Sequence, residues 1–186
     1  MFYIVGLGNP GEEYQNTRHN AGALSVESFA KKNKLNFFET EKFGKEKVHL
    51  LLPKTFMNKS GTQLTKLITS KKKAESLVVI YDDLDMPLGK IKISFGRGSG
   101  GHKGIESIAR SIKTKDFIRI RIGIAPSTPS GKIKKIKEEQ KVIDFILGDF
   151  KKKETETLKK IFKKVNEALE TIIKEGRAKA MNEYNR

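Results

Sequence analysis

The 186-residue sequence has no cysteine. That removes disulfides and thiolate metal ligands, and makes a reducing compartment natural. No apolar run approaches the ~20 residues needed to span a membrane. Met1–Gly6 lacks the basic region and apolar length of a secretory signal, so the expectation is a cytoplasmic protein with no membrane attachment. Histidine is scarce, with three in the chain. There is no His-x-x-x-His pair and no dense His/Asp cluster along the sequence, which argues against metal-assisted hydrolysis. Acidic residues are also few: 22 Asp plus Glu face 38 Lys plus Arg, for a net charge of +16. Such an excess suits a polyanionic partner. It equally suits a lysine-rich surface that needs only to be solvated, so charge alone selects no function.

What is present supports one core. A hydrophobic content of 37% at this length predicts a single domain over residues 1–186. Phe2–Val5 is a short buried strand ended by Gly6. Ala21–Lys32 has helical apolar spacing. Phe37–Thr40 and Lys45–Leu52 read as strands joined near Gly44. Asn58 or Ser60 can cap a helix running to about Ser70, and Lys71–Lys73 reads as an exposed link. Leu77–Tyr81 is the most continuous β-branched run, as in a central strand covered on both faces. Lys90–Ser94 alternates, Gly96–Gly101 is a glycine loop, and Gly104–Ile112 is a short helix. Phe117–Ile122 alternates with Arg119 and Arg121 on one face, followed by a loop from Pro126 to Gly131. Lys132–Lys141 reads as a charged insertion and Val142–Leu147 as a short helix or strand. Lys151–Glu175 is the clearest helix, its stripe formed by Leu158, Ile161, Phe162, Val165, Leu169, Ile172 and Ile173. A second short helix follows from Ala178. Alternating strands and helices predict an α/β fold: a single-domain, three-layer α/β/α sandwich with a central mixed sheet and a long C-terminal helix.

The stretch Gly6–Gly22 carries the most unusual chemistry. Gly6-Leu7-Gly8-Asn9-Pro10-Gly11 satisfies the dinucleotide fingerprint G-x-G-x-x-G. That motif needs a helix beginning inside it, and no apolar periodicity appears before Ala21. A serine nucleophile elbow at Ser99 fails because Arg97 stands where glycine is required. What remains is a histidine base without metal or covalent intermediate. His19 lies in a polar segment beside Arg18 and Asn20, and needs a carboxylate to set its tautomer. Asp82, at the end of the central strand, can supply it. Asp83 and Asp85 read as turn-forming acids before Pro87.

Five segments then occur in a telling order: Gly6–Gly22, Lys54–Gly61, Asp82–Gly89, Gly98–Ile105 and Arg119–Ile124. Val142–Gly148 adds a sixth. Together they closely resemble bacterial peptidyl-tRNA hydrolase over nearly the whole chain. The resemblance implies an esterase that cleaves peptide from the 3′ ribose of tRNA, as a monomeric α/β sandwich without metal, cofactor or obligate protein partner. It implies that His19 activates water, that Asp82 holds His19 in its basic form, and that Asn9 contacts substrate near the scissile ester. Tyr14, Phe56 and Asn58 become substrate and tRNA contacts, with Met57 lining the cleft. Independently, an aminoacyl ester is labile enough for a general base and neutral amide donors to suffice. The positive charge then has a partner in tRNA phosphate. The sequence departs from the family at Lys103, where an asparagine is usual; a lysine there suits phosphate contact. The segment from Ser130 to Gln140 is also longer and more charged than the family norm. The alternative class is a non-catalytic basic RNA-binding module, in which His19 does not matter.

Overall fold

The computed structural model describes residues 1–128 and 132–186. Six strands form one mixed sheet: β1 (Phe2–Gly6), β2 (Thr40–Phe43), β3 (Glu46–Leu51), β4 (Leu77–Pro87), β5 (Ile91–Phe95) and β6 (Ile118–Ala125). Their order is β2-β3-β1-β4-β6-β5. The inner strands run parallel, and β2 and β5 close the two edges antiparallel. The helices are α1 (Ala21–Asn33), α2 (Lys71–Glu75), α3 (Lys103–Ser111), α4 (Glu139–Leu147), α5 (Thr155–Glu175) and α6 (Arg177–Tyr184).

The period-two side-chain alternation of a strand builds the two cores. Ile4, Val78 and Ile80 face one way, onto α1, α5 and α6, while Tyr3, Val5, Leu77, Val79 and Tyr81 face the other, onto α3 and the 3-10 helix Met57–Leu64. Both faces are therefore covered, giving the expected α/β/α layers. In α5, Leu158, Ile161, Val165, Leu169, Ile172 and Ile173 are buried; each contributes roughly 1.5–3 kcal/mol of transfer free energy. Phe162 is only partly buried. The side chain of Asn185 bonds both the N–H and the C=O of Ile93, so it continues the ladder at edge strand β5 and blocks pairing with another chain. Among the described residues, no helix is long and apolar enough to cross a membrane.

Several local expectations shift. The strand expected at Phe37–Thr40 lies at Thr40–Phe43, and Phe37 makes only an isolated bridge to Leu50. The tight turn at Gly44, whose φ is 62°, sets Phe43 opposite Glu46 and so fixes the strand from the turn backwards. The helix expected from Asn58 or Ser60 is the 3-10 helix Met57–Leu64, and neither residue caps it. Lys71–Lys73 is no link but the start of α2, where the Ser70 hydroxyl accepts from the Lys73 N–H and lysine is a good helix former. Within the charged segment, Glu139 already opens α4, so Val142–Leu147 is helix; Pro129 to Gly131, the end of the expected loop, lie outside the described residues. Central strand β4 runs on to Pro87 because β6 continues beside it. Asp83 is therefore a strand residue, ion-paired to Arg121 at 2.9 Å, while its other carboxylate oxygen accepts from the Asp85 N–H at 2.8 Å, the local bond of a turn acid.

Candidate active site

The end of β1 leaves a gap at the carboxyl edge of the sheet. Pairing between β1 and β4 stops at Gly6–Ile80, whereas β4 continues with β6 alone through Asp82–Ile122. Asp82 thus stands where its left-hand neighbour strand has turned away, the usual place for a site in an open α/β sheet. The chain leaving β1 forms 3-10 turns at Glu12–Tyr14 and Arg18–Asn20 before α1 begins. No helix starts inside the glycine motif, which removes the geometry a dinucleotide pyrophosphate needs. Gly22 brings α1 against β4, since a Cβ there would overlap the Ile80 carbonyl. That close approach lays the preceding turn, and His19 with it, against Asp82.

His19 Nδ1 lies 3.0 Å from both carboxylate oxygens of Asp82. His102 Nε2 lies 3.0 Å from Asp82 Oδ1. The other nitrogen of His102, Nδ1, accepts from the backbone N–H groups of Gly104 and Ile105 at 3.2 and 3.4 Å, capping α3. An acceptor at Nδ1 cannot carry the proton, so His102 is the Nε2–H tautomer and donates to Asp82. Burial, the largest influence on Asp82, pushes its carboxyl up, but the two histidines and their hydrogen bonds pull it down further, to well below the ordinary carboxylate range. Asp82 is therefore an ionised acceptor, His19 donates to it through Nδ1–H, and the lone pair of His19 is on Nε2, away from the carboxylate. The two imidazoles are 5.0 Å apart, and Tyr81 sits 4.8 Å from His102, edge to face.

This His19, Asp82 and His102 cluster, with ligand-type atoms within 4.8 Å of one another, is the dense grouping absent from the linear sequence. In this arrangement His19 Nδ1 and His102 Nε2 are both bonded to the carboxylate.

Asn9 forms the adjoining wall. Its backbone is clamped by the Asn20 amide, which accepts from the Asn9 N–H at 2.8 Å and donates to the Asn9 carbonyl at 2.9 Å. Its side-chain Oδ1 accepts from the Met57 N–H at 2.9 Å, so the NH2 end is the one offered to the cleft. The cleft has a volume of about 890 Å³ and is lined by Asn9, His19, Phe56, Met57, Asn58, Asp82, His102 and Lys103, with Val142, Ile143, Ile146 and Leu147 of α4 opposite.

The sequence model of the family described as peptidyl-tRNA hydrolase matches residues 3–186. The chain belongs to the peptidyl-tRNA hydrolase family. It is 44% identical, over the full length of both chains, to the peptidyl-tRNA hydrolase of Thermodesulfovibrio yellowstonii. It is 40% identical to that of Fervidobacterium nodosum, over 98% of this chain and 94% of the relative. The crystal structure of peptidyl-tRNA hydrolase from Acinetobacter baumannii superposes with a TM-score of 0.86 at 31% identity, covering all of this chain and 94% of the other.

The structure brings His19, Asp82, Asn9, Met57, Asn58, Phe56 and Lys103 to one cleft. Tyr14 stands behind Phe56, their rings 6.4 Å apart and edge to face, so it meets the cleft through that neighbour. Phe56 is 58% exposed at the rim. Three groups escaped the linear reading. His102 was visible only as part of a glycine loop, and its convergence on Asp82 is tertiary. Asn20 had no signal beyond adjacency to His19. Arg119, expected on the same strand face as Arg121, is buried, stacks over Phe117 and donates to the Gly98 carbonyl, holding the glycine loop. His102→Ala removes one hydrogen bond from the carboxylate, so kcat is expected to fall about tenfold with the shape of the pH–rate profile preserved. An unchanged kcat in steady-state assays would remove His102 from the relay.

Proposed function

We propose that this chain hydrolyses the ester joining a peptide, or an N-blocked amino acid, to the 3′ ribose of tRNA, with His19 as general base. The carrying observation is the pairing of His19 Nδ1 with a buried, ionised Asp82, which leaves Nε2 to take a proton from water. Water attacks the ester carbonyl as His19 Nε2 accepts its proton, and Asp82 stabilises the imidazolium that forms. The Asn9 amide is a fixed neutral donor for the developing oxyanion. The imidazolium then returns its proton to the leaving ribose oxygen, releasing tRNA and peptide acid. A chain of +16 attracts the tRNA phosphates in a salt-dependent way, with Lys103 at the cleft as one phosphate contact and Phe56, Asn58 and Tyr14 as further substrate contacts. We place the reaction in the cytoplasm, catalysed by a monomer.

The test is an assay of the purified chain with N-acetyl-aminoacyl-tRNA and unblocked aminoacyl-tRNA in excess EDTA. The blocked ester is expected to be cleaved, the unblocked one poorly. Loss of activity in EDTA that returns with added metal would overturn the relay. Failure to cleave the blocked ester under any condition, with tRNA binding intact, would favour a non-catalytic RNA-binding protein.

A further inference from the structure

Helix α4 forms one wall of the cleft through Val142, Ile143, Ile146 and Leu147, yet none of its residues is fully buried. Phe145 and Ile146 of the helix pack against the core only as partly buried side chains. A polar attachment is supplied by Arg18, the residue preceding His19. Its side chain is 6% exposed. One terminal nitrogen donates to the carbonyls of Gly148 and Asp149 at 3.0 and 2.8 Å. The other donates to Glu154 at 3.0 Å. The guanidinium lies 4.5 Å from the ring centroid of Phe145, on α4, and 5.4 Å from that of Phe150. Main-chain pairing follows the same path: the Arg18 N–H donates to the Gly148 carbonyl, the Phe150 N–H donates to the Asn16 carbonyl, and Thr17 bridges Asp149.

We infer that Arg18 is a positioning residue that locks the α4 wall to the turn bearing His19, so that the apolar wall and the base are placed as one unit. The inference rests on the reading of the cleft given under Proposed function. Two carbonyls, a carboxylate and two aromatic faces arranged around one planar cation suit a guanidinium. A lysine keeps the charge but cannot reach three acceptors in a fixed fork or stack on both rings. Losing the fork leaves only the main-chain bonds from Arg18 to Gly148 and from Phe150 to Asn16 as the tether, so α4 can shift against the His19 turn, and displacement of about 1 Å at a reacting group is enough to cost about 10²-fold in rate.

The experiment uses Arg18→Lys and Glu154→Gln, compared with the parent enzyme on N-acetyl-aminoacyl-tRNA bearing a large apolar amino acid, with melting temperatures measured alongside. Arg18→Lys is expected to lower kcat/KM about 10- to 100-fold, with KM raised as well as kcat lowered. A mere loss of folded enzyme would scale kcat and leave KM alone. Ile143→Ala, which trims the wall directly, raises KM in the parent and adds less in the Arg18→Lys background, because there the wall is already displaced. If Arg18→Lys does not fold, Glu154→Gln, outside the cleft, carries the test and is expected to raise KM in the same direction by a smaller factor. Parent-like KM in folded Arg18→Lys, or in Glu154→Gln when the former does not fold, overturns the inference, as does full additivity with Ile143→Ala. Failure of the parent enzyme to cleave the blocked ester refutes the proposed function instead, so the two failures are distinct.

Discussion

His19→Ala is expected to lower kcat by about 10²–10⁴-fold, the usual worth of a positioned general base. The substitution removes the Nε2 lone pair that faces the cleft and leaves the rest of the wall standing, because Asp82 keeps its hydrogen bond from His102 and the Asn9 clamp does not involve His19. Binding of tRNA, which depends on distributed phosphate contacts, is expected to persist. Single-turnover hydrolysis and tRNA binding measured on the same preparation check both halves. Turnover near that of the parent enzyme would remove His19 from the base role, while loss of binding together with activity would point to a structural role.

Asp82→Asn is expected to cost on the order of 10³–10⁴-fold in kcat, although the side chains are nearly isosteric. An amide presents one acceptor and one NH2 group where the carboxylate presents two acceptors. His102 is pinned as a donor by the Gly104 and Ile105 N–H groups on its other nitrogen, so it claims the amide oxygen. The amide NH2 then faces His19 Nδ1 and selects the tautomer with the proton on Nε2, which cannot accept one from water. The pH–rate profile changes as well, because the charge that stabilises the imidazolium is gone. In the parent enzyme the Asp82 carboxyl is held below its ordinary range. The linkage sign follows. A depressed folded-state pKa stabilises the fold above the unfolded value near 3.9, and that contribution is lost as pH falls through the folded value. Thermal melts from neutral to acid pH are therefore expected to show a gap between parent and Asp82→Asn that narrows only in strong acid. A gap independent of pH would deny the ionised pairing.

Much of the architecture was legible because it follows from local periodicity. The run Leu77–Tyr81 declared a strand covered on both faces, and the stripe from Leu158 to Ile173 declared a helix packed on the body; both lie in the core. The errors fell where local pattern is weakest. Lys71–Lys73 has no apolar stripe to mark a helix, so its Ser70 cap was the overlooked signal. Asp83 keeps the turn acid's bond to the Asp85 N–H, but the neighbouring strand β6 also makes it a strand residue, which no local pattern shows.

The sequence by itself determined the chemistry on offer: a candidate histidine base, a carboxylate at a strand end, amides nearby, an excess of basic residues and the order of motifs shared with a hydrolase family. Tertiary structure decided which of those groups meet. His19 and Asp82 are 63 positions apart in the chain, and Asp82 and His102 are 20 apart. Their convergence depends on β1 ending two residues short of Asp82, on the absence of a Cβ at Gly22, and on α3 presenting its cap residue to the same carboxylate. Those are relations between backbones distant in sequence, and residue type along the chain carries no record of them. The tether from Arg18 to the segment after α4 spans 130 positions and is of the same kind: the sequence supplied the arginine, and the packing of two chain segments decided what it holds.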